Sequence, residues 1–229
     1  MWRAITLLIL TGALLSACTT VPKGPERAVN LTSQLEKVAE IHHWNMRGKI
    51  AFRRGNEATS LNLVWKNDSG DFDFRLSNFL GVRIVDLNVT SKQSSLTADG
   101  QTHYDADPEL LIYKTTGIVI PVAPLLSWVK GLPLKDDTFT LNDKGLVNTL
   151  ESGCIGCSNW SVEYGQYGKV NTNNAKTNAE VSKGTTENAL NSGEENEVWL
   201  PHSITLTQTE TPLIPQIQLK IKIYEWLTL

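Results

Sequence analysis

The chain has 229 residues, which is enough for one large domain with a hydrophobic core. Hydrophobic residues make up 41% of the chain and charged residues 20%, an ordinary composition for a globular protein. The net charge of −3, the pI near 5.8 and the lack of a basic stripe along the sequence argue against nucleic acid as a partner.

Residues 1–17 are predicted to form a cleaved signal peptide. Arg3 supplies a positive start, and the apolar run from Ile5 to Leu15 is too short to span a bilayer as a helix. The run ends in Leu15-Ser16-Ala17-Cys18, which is similar to the lipobox of bacterial lipoproteins. The alternative is an ordinary signal peptide followed by a chance cysteine.

The lipobox resemblance implies an N-acyl diacylglycerol on Cys18 and no other cofactor. Thr19 stands where lipoproteins retained in the inner membrane have Asp. The resemblance therefore implies a permanent lipid anchor in the outer membrane, with the protein on its periplasmic face. Residues 18–30, which include Pro22 and Pro25, are predicted to be a tether to a single domain formed by residues 31–229.

The domain is predicted to begin with a helix and continue in strands. Apolar residues recur on one helical face over Leu31–His43. The period then changes to two, which predicts strands over Trp44–Arg53, Ala58–Lys66 and Asp71–Ser77 and from Val82 onwards.

The turn Asn78-Phe79-Leu80-Gly81 joins two of these strands and carries two large apolar residues. Asn78 and Gly81 are ordinary turn residues. A hairpin tip normally faces water, so Phe79 and Leu80 either fold back over the core or project outward. The pattern alone leaves both alternatives open.

The second half of the domain is predicted to contain two short helices and further strands. Asp99-Gly100 predicts a tight hairpin, and helices are expected over Asp107–Thr116 and Pro121–Lys130. Strands are then expected over Thr138–Asn142, Leu146–Glu151, Asn159–Tyr164, Val198–Gln208 and Gln216–Tyr224.

Residues 165–197 are predicted to be a long mobile loop, because they are polar and nearly free of large apolar side chains. About eleven strands with a helical interlude predict a mainly β fold built on one large antiparallel sheet. A sheet of that size curls or closes, and helices can cover its open side.

Cys154-Ile155-Gly156-Cys157 is the most obvious candidate for chemistry. Such a pair could be a redox centre or half of a zinc site, with His42, His43, His103 or His202 as further ligands. A loop disulfide or a free pair fits better, because the motif lies between strands in an oxidising compartment. No catalytic triad, phosphate-binding loop or paired carboxylate site is recognisable, so neither an enzyme nor a metal protein is expected.

Several short patterns together resemble the LolB family, the outer-membrane receptors for lipoproteins. They are the opening strand Trp44–Ala51, the hairpin tip Leu76-x-Asn78-x-Leu80-Gly81, the segment Asp107–Leu111, the segment Gly117–Val122, the segment Trp128–Pro133 and the closing strand Leu219–Trp226. The resemblance extends over essentially the whole chain from Cys18. Ile118 departs from it, since the family often has Trp there.

The resemblance implies a curled, incomplete β-barrel with a helical lid around an apolar cavity. Acyl chains of lipoproteins, delivered by the periplasmic carrier LolA, would enter this cavity and then pass into outer-membrane lipid, and we expect the protein to be a monomer. The tip residues Phe79, Leu80 and Gly81 would form a membrane-insertion loop. The candidates for the cavity wall, each of which could equally be plain packing, are Trp44, Trp65, Phe72, Phe74 and Trp128.

Two competing hypotheses remain at this point. The protein could be a structural lipoprotein with a solidly packed barrel. Alternatively, it could be a redox or metal enzyme that uses Cys154 and Cys157. An apolar cavity would distinguish the transfer protein from the packed barrel.

Overall fold

The computed structural model describes residues 22–154, 159–172, 197–210 and 215–228. Within these ranges the protein has thirteen strands and three short helices. The helices are α1 (Leu31–Ala39), α2 (Pro108–Thr116) and α3 (Val122–Trp128). The strands are β1 (His43–Arg54), β2 (Glu57–Asp68), β3 (Asp71–Ser77), β4 (Arg83–Val89), β5 (Ser94–Ala98), β6 (Gln101–Asp105), β7 (Thr138–Leu141), β8 (Val147–Glu151), β9 (Trp160–Tyr164), β10 (Tyr167–Asn171), β11 (Glu197–Pro201), β12 (Ser203–Gln208) and β13 (Ile217–Thr228).

The helices begin and end where local sequence favours it. The Asn30 side chain accepts a hydrogen bond from Ser33 N at 3.0 Å and so caps α1. The Asp107 carboxylate accepts hydrogen bonds from two backbone amides at the start of α2. Gly117 ends α2 in the left-handed region, with φ 70°. None of the helices in the described ranges has the length and apolar character needed to traverse a bilayer.

Eleven strands form one antiparallel sheet in the order β6-β5-β4-β3-β2-β1-β13-β12-β9-β8-β7. The strands at its two edges, β6 and β7, do not pair with each other, so the sheet does not close. β1 and β13 lie at its centre, where they pair along their length. β10 and β11 form a separate two-stranded sheet. The predicted mainly β fold with a large, open antiparallel sheet is confirmed.

The core lies on the inner face of this curved sheet. Alternate residues of β1 and β13 are buried there, among them Met46, Ile50, Ile221 and Ile223. The outward-facing residues between them are exposed and mostly polar. This period of two matches the one predicted from the sequence.

Three predicted boundaries differ from the structure. The expected loop 165–197 contains β10 and the first residue of β11, because Tyr167 and Val170 are buried. Residues 173–196, the rest of that loop, lie outside the described residues. The single strand expected over Val198–Gln208 is two strands with a break at His202, and the first helix ends at Ala39 rather than at His43.

Part of the expected tether is packed against the domain. Pro25 is buried, and Val29 N donates a hydrogen bond to Lys144 O at 2.8 Å. Residues 1–21, including Cys18 and the predicted signal peptide, lie outside the described residues.

Candidate functional site

An apolar cavity of about 310 Å³ lies between the inner face of the sheet and the two central helices. Every residue in its wall is apolar or a threonine. The sheet contributes Ile50, Phe52, Thr59, Leu61, Trp65, Phe72, Phe74, Leu76, Val85, Leu87, Leu96, Leu219 and Ile221. The helices and the loop between them contribute Ile112, Thr116, Ile118, Ile120, Val122 and Leu125.

The size and lining of this cavity suit hydrocarbon. A buried cavity of about 150 Å³ already accepts benzene when its lining is purely apolar, so a volume about twice as large holds a substantial length of acyl chain. Water would find no hydrogen-bonding partners along such a wall. The cavity therefore favours an apolar ligand over solvent.

The cavity extends to the end of the sheet where the β3–β4 turn projects. Phe52 and Thr59 face each other across the β1–β2 pair close to its turn, and Thr59 is exposed. Leu76 lies one residue before the end of β3. A ligand can therefore enter from this end, which we call the mouth.

α2, α3 and the loop between them form a lid over the cavity. The Glu109 carboxylate accepts a hydrogen bond from Val122 N at 2.9 Å and so joins the two helices. Lys114 Nζ donates a hydrogen bond to Asp105 on the edge strand β6 at 2.8 Å, and this contact holds the pKa of Asp105 below its ordinary value. These two side-chain contacts join α2 to α3 and to the edge of the sheet.

Three of the five aromatic residues proposed for the wall lie in it. Trp65, Phe72 and Phe74 line the cavity, and the rings of Phe72 and Phe74 lie 6.0 and 5.3 Å from that of Trp65. Trp44 stands behind this group, with its ring 5.3 Å from that of Trp65. Trp128 does not line the cavity, because it is fully buried and its indole N–H donates to Asp137 at 2.8 Å.

Sequence reasoning did not identify the residues that the lid contributes. Ile118, Ile120 and Leu125 lie in short segments around Gly117 and Pro121, where neither a helical nor a strand period is long enough to reveal an inner face. Their only signal in the sequence is the unusual density of apolar residues between two helix ends.

The turn between β3 and β4 projects into solvent at the mouth. Phe79 is 89% exposed and Leu80 is 72% exposed, which resolves the alternatives left open by the sequence. The Asn78 side chain accepts hydrogen bonds from Leu80 N and Val82 N, both at 3.0 Å. Gly81 has φ 82°, a conformation that favours glycine. The turn is therefore a fixed apolar tip.

Buried polar groups lie away from the cavity and close the body of the protein. Lys130 Nζ donates hydrogen bonds to Val38 O in the last turn of α1 and to Ile41 O just beyond that helix, and burial lowers the pKa of Lys130 to about 8. Tyr164 and Tyr167 donate to Trp128 O and Val147 O, and burial raises the pKa of both phenols. These contacts are structural.

The structure describes only part of the residues proposed for a metal or redox centre. Among the described residues no group of three or more His, Cys, Asp or Glu side chains is placed to hold a metal ion. Cys154 is disulfide-bonded, and Cys157 lies outside the described residues. A second depression, of about 430 Å³, has a mixed lining of charged residues such as Lys66, Asp68 and Asp71 and apolar residues such as Trp44 and Phe72.

Comparison with known proteins identifies the family. The family model described as outer membrane lipoprotein LolB matches residues 42–191. The outer-membrane lipoprotein LolB of Tolumonas auensis is 30% identical over 164 residues, which cover 71% of this chain and 81% of that protein. The corresponding protein of Vibrio cholerae is 33% identical over 157 residues, which cover 67% of this chain and 75% of that protein.

Among solved structures, a LolA superfamily protein from Nitrosomonas europaea aligns with 87% of this chain and 93% of its own, at 8% identity and a TM-score of 0.41. The family model spans more than half of the sequence, including the first ten strands and the lid. The chain therefore belongs to the LolB family of outer membrane lipoproteins.

Proposed function

We propose that this protein is an outer-membrane-anchored receptor that accepts acylated lipoproteins in its apolar cavity and releases them into the outer membrane. The observation that supports this most directly is the cavity, which has an entirely apolar or threonine lining and reaches the mouth of an open sheet. Membership of the LolB family agrees with the same role.

The physical need for such a cavity follows from the cargo. Each methylene exposed to water costs about 0.8 kcal/mol, so a lipoprotein with several acyl chains does not leave a membrane or a carrier unaided. A cavity of about 310 Å³ shields only part of that hydrocarbon in the conformation described. We expect the lid to move outward when cargo enters.

The proposed donor is the soluble carrier LolA, with Cys18 acylated and the protein on the periplasmic face. Transfer would then pass acyl chains from one apolar cavity to the next. The sequence contains no recognisable nucleotide-binding motif, so the proposed direction comes from relative affinity rather than from ATP.

The tip is proposed to contact lipid during release. Burying Leu80 in a bilayer contributes only about 1.5–3 kcal/mol, which is too little to anchor the protein. The tip would instead place the mouth against the lipid surface, while the acyl groups on Cys18 hold the protein there.

The test is transfer of a lipoprotein from its purified LolA complex to vesicles that carry the full acylated protein. We expect cargo to leave LolA and to sediment with the vesicles without nucleotide. A receptor that takes up neither this cargo nor a fluorescent acyl probe would contradict the proposal. That outcome would favour the alternative, a structural lipoprotein.

A further inference from the structure

The outer face of the two central strands carries five cations. Arg47, Lys49 and Arg53 alternate with buried residues on β1, and Lys220 and Lys222 do so on β13. All five are exposed. We call this group the basic face. It is not visible in the sequence, because its two halves are separated by more than half the chain.

The register of the two strands brings these cations together. Lys49 lies directly opposite Lys222. Ala51, two residues further along β1, lies directly opposite Lys220. Residues opposite each other on one face have Cβ atoms about 5 Å apart, and like charges in that position destabilise a sheet. The sheet therefore holds a repulsive arrangement that an anionic partner would relieve.

The cations have little acidic compensation within the protein. In the ranges that the structure describes, no carboxylate lies within 4.0 Å of Lys49, Lys220 or Lys222, and Arg47 reaches Glu225 only at 3.9 Å. The residues that flank the basic face on β2 and β12 are neutral, among them Ser60, Asn62, Ser203 and Thr205. Apart from Glu225, which lies opposite Arg47, the basic face is thus a positive surface on a chain whose net charge is −3.

The N-terminal segment lies beside His202, which contacts the backbone of β13 next to Lys222. A Cβ atom at Gly168 would lie 3.0 Å from Pro22 and 2.5 Å from His202 Nε2, so these two residues flank one position. His202 in turn contacts the backbone of Ile223, with Nδ1 2.9 Å from Ile223 O and Ile223 N donating to His202 O. Ile223 is the immediate neighbour of Lys222.

The length of the tether limits how far this region lies from lipid. Four residue steps separate Cys18 from Pro22, and a fully extended chain spans at most about 14 Å over four steps. If Cys18 is acylated, as proposed above, this side of the barrel stays close to the membrane surface.

We propose that the basic face binds the surface of an anionic lipid bilayer, so that the barrel lies on the outer face of β1 and β13. The phosphate groups of anionic lipids supply the charge that the five cations lack. Each Lys or Arg near such a surface strengthens binding appreciably, and salt weakens the effect. Because the tether is short, it favours the lipid bilayer as the partner of the basic face over the acidic surface of a soluble protein.

The test is the rate at which an amine-reactive acetylating reagent modifies each lysine of the full acylated protein in vesicles. Vesicles of phosphatidylcholine alone are compared with vesicles in which about a third of the lipid is phosphatidylglycerol. We expect Lys49, Lys220 and Lys222 to react at least about threefold more slowly on the anionic vesicles, and raised salt to remove the difference. The exposed Lys92 and Lys135, which lie elsewhere, should react equally on both.

A pair of double variants makes the test specific. In the variant Lys49→Gln/Lys222→Gln, the difference in the acetylation rate of Lys220 between neutral and anionic vesicles should become smaller. In the matched control Lys92→Gln/Lys135→Gln, this difference should persist. Equal reaction of Lys220 on both kinds of vesicle would overturn the proposal. Protection that appears only after a soluble acidic protein is added would also overturn it and assign the face to that partner.

The proposal that the basic face binds lipid rests on acylation of Cys18, which is part of the proposed function. Different experimental results would contradict the orientation and the function. A protein that does not sediment with neutral vesicles has no anchor. A protein that sediments and transfers cargo but shows no lipid-dependent protection retains its function without this orientation.

Discussion

At the scale of single residues, the most exposed large apolar side chains within the described ranges are those of the tip. Phe79 and Leu80 are held away from the core by the hydrogen bonds that Asn78 accepts from the turn. Neither side chain closes the cavity, since neither lies in its wall. A change at Leu80 therefore separates contact with the membrane from binding of cargo.

We predict that Leu80→Glu leaves folding and binding of an acyl probe unchanged but reduces delivery of lipoprotein to vesicles by about tenfold or more. The reason is that a carboxylate at the tip resists entry into lipid and so removes the ~1.5–3 kcal/mol that leucine contributes. The measurement is cargo recovered with vesicles. Leu141→Glu, at a leucine 45% exposed on β7, is the matched control. Normal delivery by Leu80→Glu would remove the role proposed for the tip.

We expect protonation of His202 to make the free energy of unfolding depend on pH. Its ring is buried at the break between β11 and β12, and burial lowers its pKa below the ordinary value of 6.5. The folded protein therefore keeps His202 neutral while the unfolded chain binds a proton near pH 6.5. The contribution of this residue to stability falls as pH decreases through that region.

We predict a smaller loss of unfolding free energy between about pH 7 and about pH 5 in His202→Gln than in the natural protein. Denaturant unfolding at each pH is the measurement. His103→Gln, which changes an exposed histidine on β6, should keep the natural pH dependence. If both variants behave alike, burial of His202 does not govern the acid response.

At the scale of elements, the pairing of β1 with β13 depends on a close approach at Gly48. The register shifts between Arg47 and Gly48, and a Cβ atom at Gly48 would lie 2.1 Å from Lys222 O. The obstacle is backbone, which cannot move aside as a side chain could. Only glycine fits this position without separating the two strands.

We predict that Gly48→Ala destabilises the protein by at least about 2 kcal/mol, within the range known for overpacked sites. Equilibrium unfolding in urea would measure the effect. Gly24→Ala is the control, because a Cβ there would meet no atom closer than 3.8 Å. A stable Gly48→Ala protein would show that the β1–β13 pair adjusts more easily than its register suggests.

A second feature at the scale of elements is a side chain of α1 that protects the edge of strand β11. Gln34 of α1 donates to Trp199 O at 2.6 Å and accepts from Trp199 N at 3.2 Å. The amide side chain thus takes the place of a neighbouring strand along β11. An unprotected strand edge invites pairing with other chains, so α1 shields the small sheet as well as covering the core.

Most strands were predictable because their period of two extends over at least five residues. β10 was not, because its buried Tyr167 and Val170 stand among polar neighbours in a segment of low hydrophobicity. The break at His202 was also hidden, since apolar residues continue on both sides of it. Local pattern does not record where a strand leaves one sheet for another.

The cavity wall was predictable only in part for a related reason. The sequence pattern places three tryptophans on inner faces, namely Trp44, Trp65 and Trp128. It does not show which inner faces pack against each other and which border an open cavity. Trp44 packs against Trp65 and Trp226, and Trp128 donates a hydrogen bond to Asp137, and neither lines the apolar cavity. The distinction depends on the curvature of the whole sheet.

At the scale of the whole molecule, the cavity is the feature on which the proposed function depends. It exists because the sheet stays open and the lid does not fill the space beneath it. Val85 lines the cavity on β4 and is half-buried, whereas Val82 lies just outside β4 and is exposed. These two valines offer a matched comparison.

We predict that Val85→Trp keeps the fold but weakens binding of a fluorescent acyl probe by about tenfold, because the indole occupies space that hydrocarbon would fill. Val82→Trp should bind the probe normally. Probe fluorescence titrated with each detergent-solubilised protein measures the difference. Undiminished binding by Val85→Trp would place the acyl site elsewhere.

The central pairing of β1 with β13 also affects how the protein folds. Residues 217–228 supply the middle of the sheet, and Leu219 and Ile221 form part of the cavity wall. Contacts between segments so distant in the chain form slowly, because a long loop must close first. A chain in which β13 has not yet paired with β1 therefore lacks part of the cavity wall. We expect binding of an acyl chain to follow this late pairing rather than to precede it.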